Sequence, residues 1–276
     1  MGFEKKDLDV VLIPVGLLIM FLYHLQLLYR YLHQPHSTVM GFENFNKLFW
    51  VRAIMQSEKR EIGTCLGVIS SNISAATFLA SVSLTLCSLI GAWISNTNNN
   101  FFESELIYGD TRSTTLSIKY ISLLICFLLA FTCFIQSARH FVHANYLISM
   151  PSLSIPPKSV EVAVIRGGDF WSVGLRALYF AMNLLLWFFG PIPMFAGSIF
   201  MVLFLHYLDS NTMPLIEHEF EFDGGQVYNE IGSSKTTRTL RRDITFFKDL
   251  FASTTLLMVT GKNPPGYNKV LDENTK

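Results

Sequence analysis

From Leu175 the chain reads Leu-Arg-Ala-Leu-Tyr-Phe-Ala-Met-Asn-Leu-Leu-Leu-Trp-Phe-Phe-Gly-Pro-Ile-Pro-Met194 and stays almost wholly apolar to Tyr207. A bilayer core of about 30 Å is crossed by about 20 apolar residues, so this run is long enough to span it even when bent. Three further segments have the same character. Val10 to Tyr29 is apolar apart from His24 and Gln26, Leu66 to Trp93 is apolar with many Ser and Thr, and Leu116 to Phe134 is nearly continuous Leu, Ile, Phe and Cys after Lys119. With 50% of the 276 residues hydrophobic and 15% charged, the composition is a poor match to a soluble domain.

The expected fold is therefore an all-α integral membrane protein with four transmembrane helices in one bundle. The spans fall at about 8–30, 66–94, 116–138 and 175–208, within a membrane domain covering 1–210. A polar C-terminal tail follows at 211–276, with a short interfacial helix expected at 244–259, where Lys248 and Asp249 interrupt an apolar run. Lys5 and Lys6 precede the first span in the manner of a signal peptide, but the Tyr23 to Arg30 stretch has no small-residue cleavage site, so the segment is read as an anchor.

Formal net charge is zero, which offers no global attraction for nucleic acid. Its distribution orients the chain. Four crossings put the 31–65 and 138–174 loops on one side, where Arg30, Lys47, Arg52, Lys59, Arg60, Arg139, Lys158, Arg166 and Arg176 gather near helix ends. By the positive-inside bias that side is cytosolic, and both termini are expected to face away from it. Glu43 to Gln56 in the first cytosolic loop has apolar residues at helical spacing, with Lys47 and Arg52 among them, and reads as an amphipathic helix at the membrane surface. The sequence does not choose between plasma membrane and endomembrane, nor does it set an oligomeric state.

Motifs for soluble chemistry are missing. There is no CxxC or HExxH metal pattern, phosphate loop, nucleophile elbow or dinucleotide fingerprint, so no catalytic residue, metal ligand or cofactor is assigned. A transmembrane haem site would need paired histidines in both halves of the bundle; His206 stands alone in its half. Cys65, Cys87, Cys126 and Cys133 lie in or beside the spans and read as small hydrophobes.

Polar residues within spans carry the functional signal, because each costs free energy in hydrocarbon and tends to face protein or water. Gln136, Arg139, His140 and His143 share one face of the third helix, and Arg176, Asn183 and Trp187 share one stripe of the fourth. Ser70, Ser74, Thr77 and Ser81 recur on the second helix, where small residues let helices pack closely. Alternating directions bring His24, Gln136, Arg139, His143, Arg176 and Asn183 into the cytosolic half, as one positive pocket suited to a small anionic ligand or lipid headgroup. Each member also has a plain reading: arginines as topology anchors, histidines as ordinary hydrogen-bonded groups. Pro191 and Pro193 remove two backbone donors, so a kink is expected just after Gly190, making Gly190, Pro191 and Pro193 a hinge. Beyond that kink, His206 and Asp209 are expected to lie too far from the arginines to join them.

Several ordered blocks also resemble a known family. Trp50-Val-Arg-Ala-Ile-Met55, Ser71-Asn-Ile-Ser-Ala-Ala-Thr-Phe-Leu-Ala-Ser81, Gln136-Ser-Ala-Arg-His140, Gly174-Leu-Arg-Ala-Leu-Tyr179, Trp187-Phe-Phe-Gly-Pro191 and Leu208-Asp209 are similar to blocks of plant and bacterial membrane proteins catalogued as domain of unknown function five-nine-nine. The resemblance covers about residues 8 to 210 and suggests a plant source. It implies a four-helix integral membrane protein and no established activity. Where many members open the second-helix block with an Arg-Asn pair, this chain has Ser70-Ser71. Two functions stay open: a protein that binds or transports a small anionic or amphipathic ligand in the polar pocket, and a noncatalytic membrane scaffold working through helix contacts and the amphipathic loop.

Overall fold

A computed structural model describes residues 5–56, 62–96, 113–150 and 156–210. The expected tail helix at 244–259, the basic loop residues Lys59 and Arg60, and the acidic stretch around Glu217 to Asp223 lie outside the described residues. Six helices make up the described chain: α1 Lys5–His33, α2 Val39–Gln56, α3 Ile62–Asn96, α4 Ser113–Ser149, α5 Pro157–Leu186 and α6 Pro191–Asp209, with a 3-10 turn at Pro35–Ser37 between α1 and α2. Four of these contain stretches long and apolar enough to cross a membrane, at Val11–His33, Ile62–Ala92, Thr114–Ser149 and Pro191–Asp209. The protein is an all-helical membrane bundle.

Its principal departure from expectation is at Gly190. A proline inside a helix kinks it, whereas a proline at the first helical position starts one. Here Pro191 opens α6, and the chain before it unwinds through 3-10 bonds, Phe189 N–H to Leu186 C=O at 3.0 Å and Gly190 N–H to Trp187 C=O at 3.2 Å. Gly190 then adopts φ 133°, a left-handed value that a side chain opposes. The result is a reversal, which replaces the expected kink in one long helix. Asn183 of α5 meets Ser198 of α6 at 2.7 Å, and Arg176 is paired with Asp209, 33 residues away. In one continuous helix those two would stand about 50 Å apart.

Contacts fix the helix directions. α4 and α5 are antiparallel, with Ser137 Oγ donating to Gly167 C=O at 2.7 Å near one end and Tyr120 against Phe188 near the other. α3 and α4 are antiparallel too, joined by the Cys87 thiol at Leu124 C=O and by Cys65 and Ile69 beside Phe141 and Ile148. α1 and α6 run parallel, since Gly16 faces Ser198 while Tyr23 bonds Asp209. The start of α1 and the end of α6 consequently lie at opposite ends of the bundle, whereas four crossings would put them at the same end.

One end of the bundle has an apolar cluster of Val51, Cys65, Ile69, Phe141, Ala144, Ile148, Val160, Ala163 and Val164, drawn from α2 to α5. α2 docks there by a stripe of Gly41, Asn44, Leu48 and Val51, all buried, and by Arg52 Nε bonded to Glu161 at 2.7 Å. All four cysteines are free and buried, as their apolar setting led one to expect. The α3 residues Ser70, Ser74, Thr77 and Ser81 are exposed and face outward from the described helices. Ser71, Asn72, Ser81, Thr85 and Ser88 satisfy their side chains on carbonyls four residues earlier.

Close approach of α4 to α5 depends on two glycines seven residues apart. A Cβ on Gly167 would meet the Phe141 ring at 2.9 Å, and one on Gly174 the Phe134 ring at 2.8 Å. Overpacking a filled core costs about 1–3 kcal/mol. Gly174→Val is therefore expected to lower the thermal midpoint in detergent, with Gly63→Val, at an open position, as the neutral comparison; equal midpoints for the two variants would refute the tight α4–α5 seam.

Candidate functional site

α5 is the helix that organises polar groups. It carries Asp169, Arg176 and Asn183 at intervals of seven residues, which keeps them on one face, each two turns below the last. Each level meets a different partner.

At the α2 end, Asp169 is 3% exposed. Its Oδ1 accepts from Asn44 Nδ2 at 2.9 Å and from the Tyr31 hydroxyl at 3.1 Å, and Asn44 also donates to Tyr31 at 3.0 Å. The carboxylate thereby ties α1, α2 and α5 together. Lys47 Nζ lies so near Gly168 that a Cβ there would fall 2.8 Å from it, while Lys47 itself pairs with Glu43 at 3.2 Å. Asp169 Oδ2 is buried with no hydrogen-bond partner among the described residues.

Two turns on, Arg176 forms a two-pronged pair with Asp209, Nη1 donating to Oδ2 at 2.8 Å and Nη2 to Oδ1. The Tyr23 hydroxyl also donates to Asp209 Oδ2 at 2.8 Å, so the pair links α1, α5 and α6. His24 stands beside it. Its Nδ1 lies 2.7 Å from the Met20 carbonyl, which as a pure acceptor puts the proton on Nδ1. Nε2 is then an acceptor, buried and without a partner among the described residues. The ring packs on Phe180 with centroids 4.9 Å apart.

The third level is Asn183, whose Nδ2 donates to Ser198 Oγ at 2.7 Å, while that hydroxyl donates to Met194 C=O at 2.9 Å. Asn183 Oδ1 and, one turn further, Trp187 Nε1 are buried without partners among the described residues. Lys119 Nζ sits 5.3 Å from the centre of the Trp187 ring.

A separate feature lies between the end of α4 and the start of α5. His140, His143, Pro156, Lys158, Ser159, Val162, Ala163 and Arg166 line a groove of about 490 Å³. Four of these carry basic side chains and none is acidic. His140 stacks on Phe170 at 5.5 Å and 14°. Arg166 Nε is buried without a hydrogen-bond partner among the described residues.

The single pocket expected from the sequence is thus divided. His143 lines the groove, whereas Gln136 and Arg139 on the same α4 face do not, and Arg139 is exposed. Arg176 and His24 belong to the Asp209 level, and Asn183 sits toward the Gly190 turn, in the other half. Asp209, expected to be remote, is Arg176's partner because the chain reverses at Gly190. Asp169, Arg166, Lys158, Asn44 and Tyr31 were missed. For Asp169 the signal was present: it precedes Arg176 by the same seven residues that separate Arg176 from Asn183.

Among known proteins, the family described as "Protein of unknown function, DUF599" matches residues 11–214, and the chain belongs to it. None of the curated proteins matches, and none of the solved structures does.

Proposed function

We propose that this membrane protein binds an anionic headgroup in the groove between α4 and α5. The observation that carries this is the lining: His140, His143, Lys158 and Arg166 converge, with no carboxylate among the described residues that line the groove. Arginine and lysine beside imidazoles suit a phosphate or carboxylate, and a buried guanidinium nitrogen without a partner favours a ligand that accepts from it. Position supports the same reading, because the groove sits at the α2 end, which also holds Arg30, Lys47 and Arg52. By the positive-inside bias we assign that end to the cytosol, within reach of inner-leaflet anionic lipid.

Short-chain phosphatidic acid added to the full-length protein in neutral detergent is the test. A ligand at about 100 times its Kd stabilises by about 2.7 kcal/mol, which for a chain of this size raises the thermal midpoint by about 5–10 °C. The shift is expected to vanish in Arg166→Glu combined with His143→Glu. A shift that survives both substitutions would remove the groove as the site, and one reproduced by inorganic phosphate alone would make the ligand a soluble anion.

A further inference from the structure

We infer that the groove between α4 and α5 holds two anionic groups at once, one at each end, and that its ligand is a compact polyol bearing two phosphates. This rests on the groove being an anion site and adds the class of anion.

The basic charge of the groove is divided along its length. On α5, Ser159, Val162 and Arg166 follow at spacings of three and four residues, which sets them on one stripe of the helix. Along the axis Ser159 lies about 10 Å from Arg166, and Lys158 about 12 Å from it. Helical side chains lean toward the N-terminus, so both cations are displaced in the same sense and the gap between them stays open. Val162 and Ala163 occupy that interval, and neither side chain forms a hydrogen bond.

Helix α4 adds its imidazoles to one end. The two helices are antiparallel, with the Phe141 ring against Gly167 and His140 stacked on Phe170. His140 is therefore level with Arg166, and His143 stands about one turn nearer Lys158. Level with the start of α5, Ile148 of α4 belongs to the apolar cluster that holds Val160. The inner end of the groove thus has Arg166, His140 and His143. The outer end has Lys158, Ser159 and the first turn of α5, whose leading N–H groups have no partner within the helix and mark the positive end of its dipole.

One phosphate does not serve both ends. Charged donors approach its oxygens to about 2.7–2.9 Å, and groups spread over about 10 Å of helix do not share it. Each end nevertheless offers donors enough for a phosphate, which presents three acceptor oxygens. The carboxylates of α5 are engaged elsewhere, Glu161 with Arg52 at 2.7 Å and Asp169 with Asn44 and Tyr31. Arg166 Nε is buried without a hydrogen-bond partner among the described residues. A volume of about 490 Å³ is that of a whole small-molecule site, for which about 300–1,000 Å³ is usual. It leaves room for a polyol ring between the two ends, its C–H face on Val162 and Ala163.

The test is isothermal titration of the full-length protein in neutral detergent with three short-chain lipids. Phosphatidic acid and phosphatidylinositol carry one phosphate each; the third lipid is phosphatidylinositol with a second phosphate across the ring. The third is expected to bind about tenfold more tightly than either of the others, the worth of one added set of charge-assisted contacts. Lys158 is exposed at the outer end, and Lys158→Gln is expected to remove that advantage while leaving phosphatidic acid binding unchanged. Arg166→Gln is expected to weaken all three. Unliganded thermal midpoints check that each variant is folded. Equal affinities for the three lipids, or a Lys158→Gln loss shared equally by phosphatidic acid, overturns the two-ended site and leaves anion binding in the groove intact. Failure of all three to bind removes the groove as an anion site, and this inference with it. Acyl-free inositol bisphosphate separates the sources: weaker binding than the lipid supports a membrane ligand, and equal binding makes the ligand the soluble polyol, held at the same two ends.

Discussion

Asp209→Ala is expected to lose about 3 kcal/mol of stability, because it strands a guanidinium among three helices. Arg176 and Asp209 side chains are 20% and 14% exposed, too little for solvent to take over the role of the missing carboxylate. For a chain of this size the loss corresponds to a thermal midpoint lower by about 6–12 °C. Removing both charges has a different consequence. Replacing a buried pair with apolar groups of similar volume is often neutral, since two desolvation penalties disappear with the attraction they opposed. Arg176→Met with Asp209→Leu is therefore expected to recover most of the midpoint, leaving a smaller deficit from the Tyr23 hydroxyl that has lost its acceptor. Thermal denaturation of the three proteins in one detergent decides the matter. If the double variant is as unstable as Asp209→Ala, the pair is held by packing around it and not by the cost of an isolated charge.

This pair also shows where sequence reasoning reached its limit. Apolar length marked α1, α3 and α4 as membrane helices, because a span declares itself within its own residues. α5 did not announce itself in that way. Its run from Pro157 contains Lys158, Glu161, Arg166, Asp169 and Arg176, which read as a solvated loop before a span. In the folded protein Glu161 and Asp169 are buried and answered by Arg52 of α2 and by Asn44 and Tyr31. Periodicity places Arg176 and Asn183 on one face but says nothing of what faces them. That depends on the turn, and the text Gly-Pro-Ile-Pro is compatible with either a kink or a reversal. The deciding facts are the dihedral of Gly190 and the return of Ser198 to Asn183, both tertiary. The α3 hydroxyls mark a similar limit: small residues at helical spacing allow close packing without requiring it, and here they face outward.

The reversal at Gly190 has the most clear-cut consequence for topology, since it decides on which side of the membrane the chain leaves α6. With Cys65, Cys87, Cys126 and Cys133 replaced by alanine, single cysteines at Gln34, Phe189 and Ser210 report the two ends of the bundle to a membrane-impermeant maleimide applied to sealed vesicles. Phe189 is exposed at the turn, at 57%, and Ser210 pairs with Thr38, four residues beyond Gln34. Gln34→Cys and Ser210→Cys are expected to react from the same side, and Phe189→Cys from the opposite one. A single kinked helix through 175–208 predicts otherwise, with Phe189 near mid-membrane and unreactive and Ser210 labelled from the side opposite Gln34. If the folded-back arrangement holds, the chain leaves α6 on the side we assign to the cytosol. Labelling of Ser210→Cys opposite to Gln34→Cys would instead separate Asp209 from Arg176 by the width of the membrane, and the ion pair between them would have no physical basis.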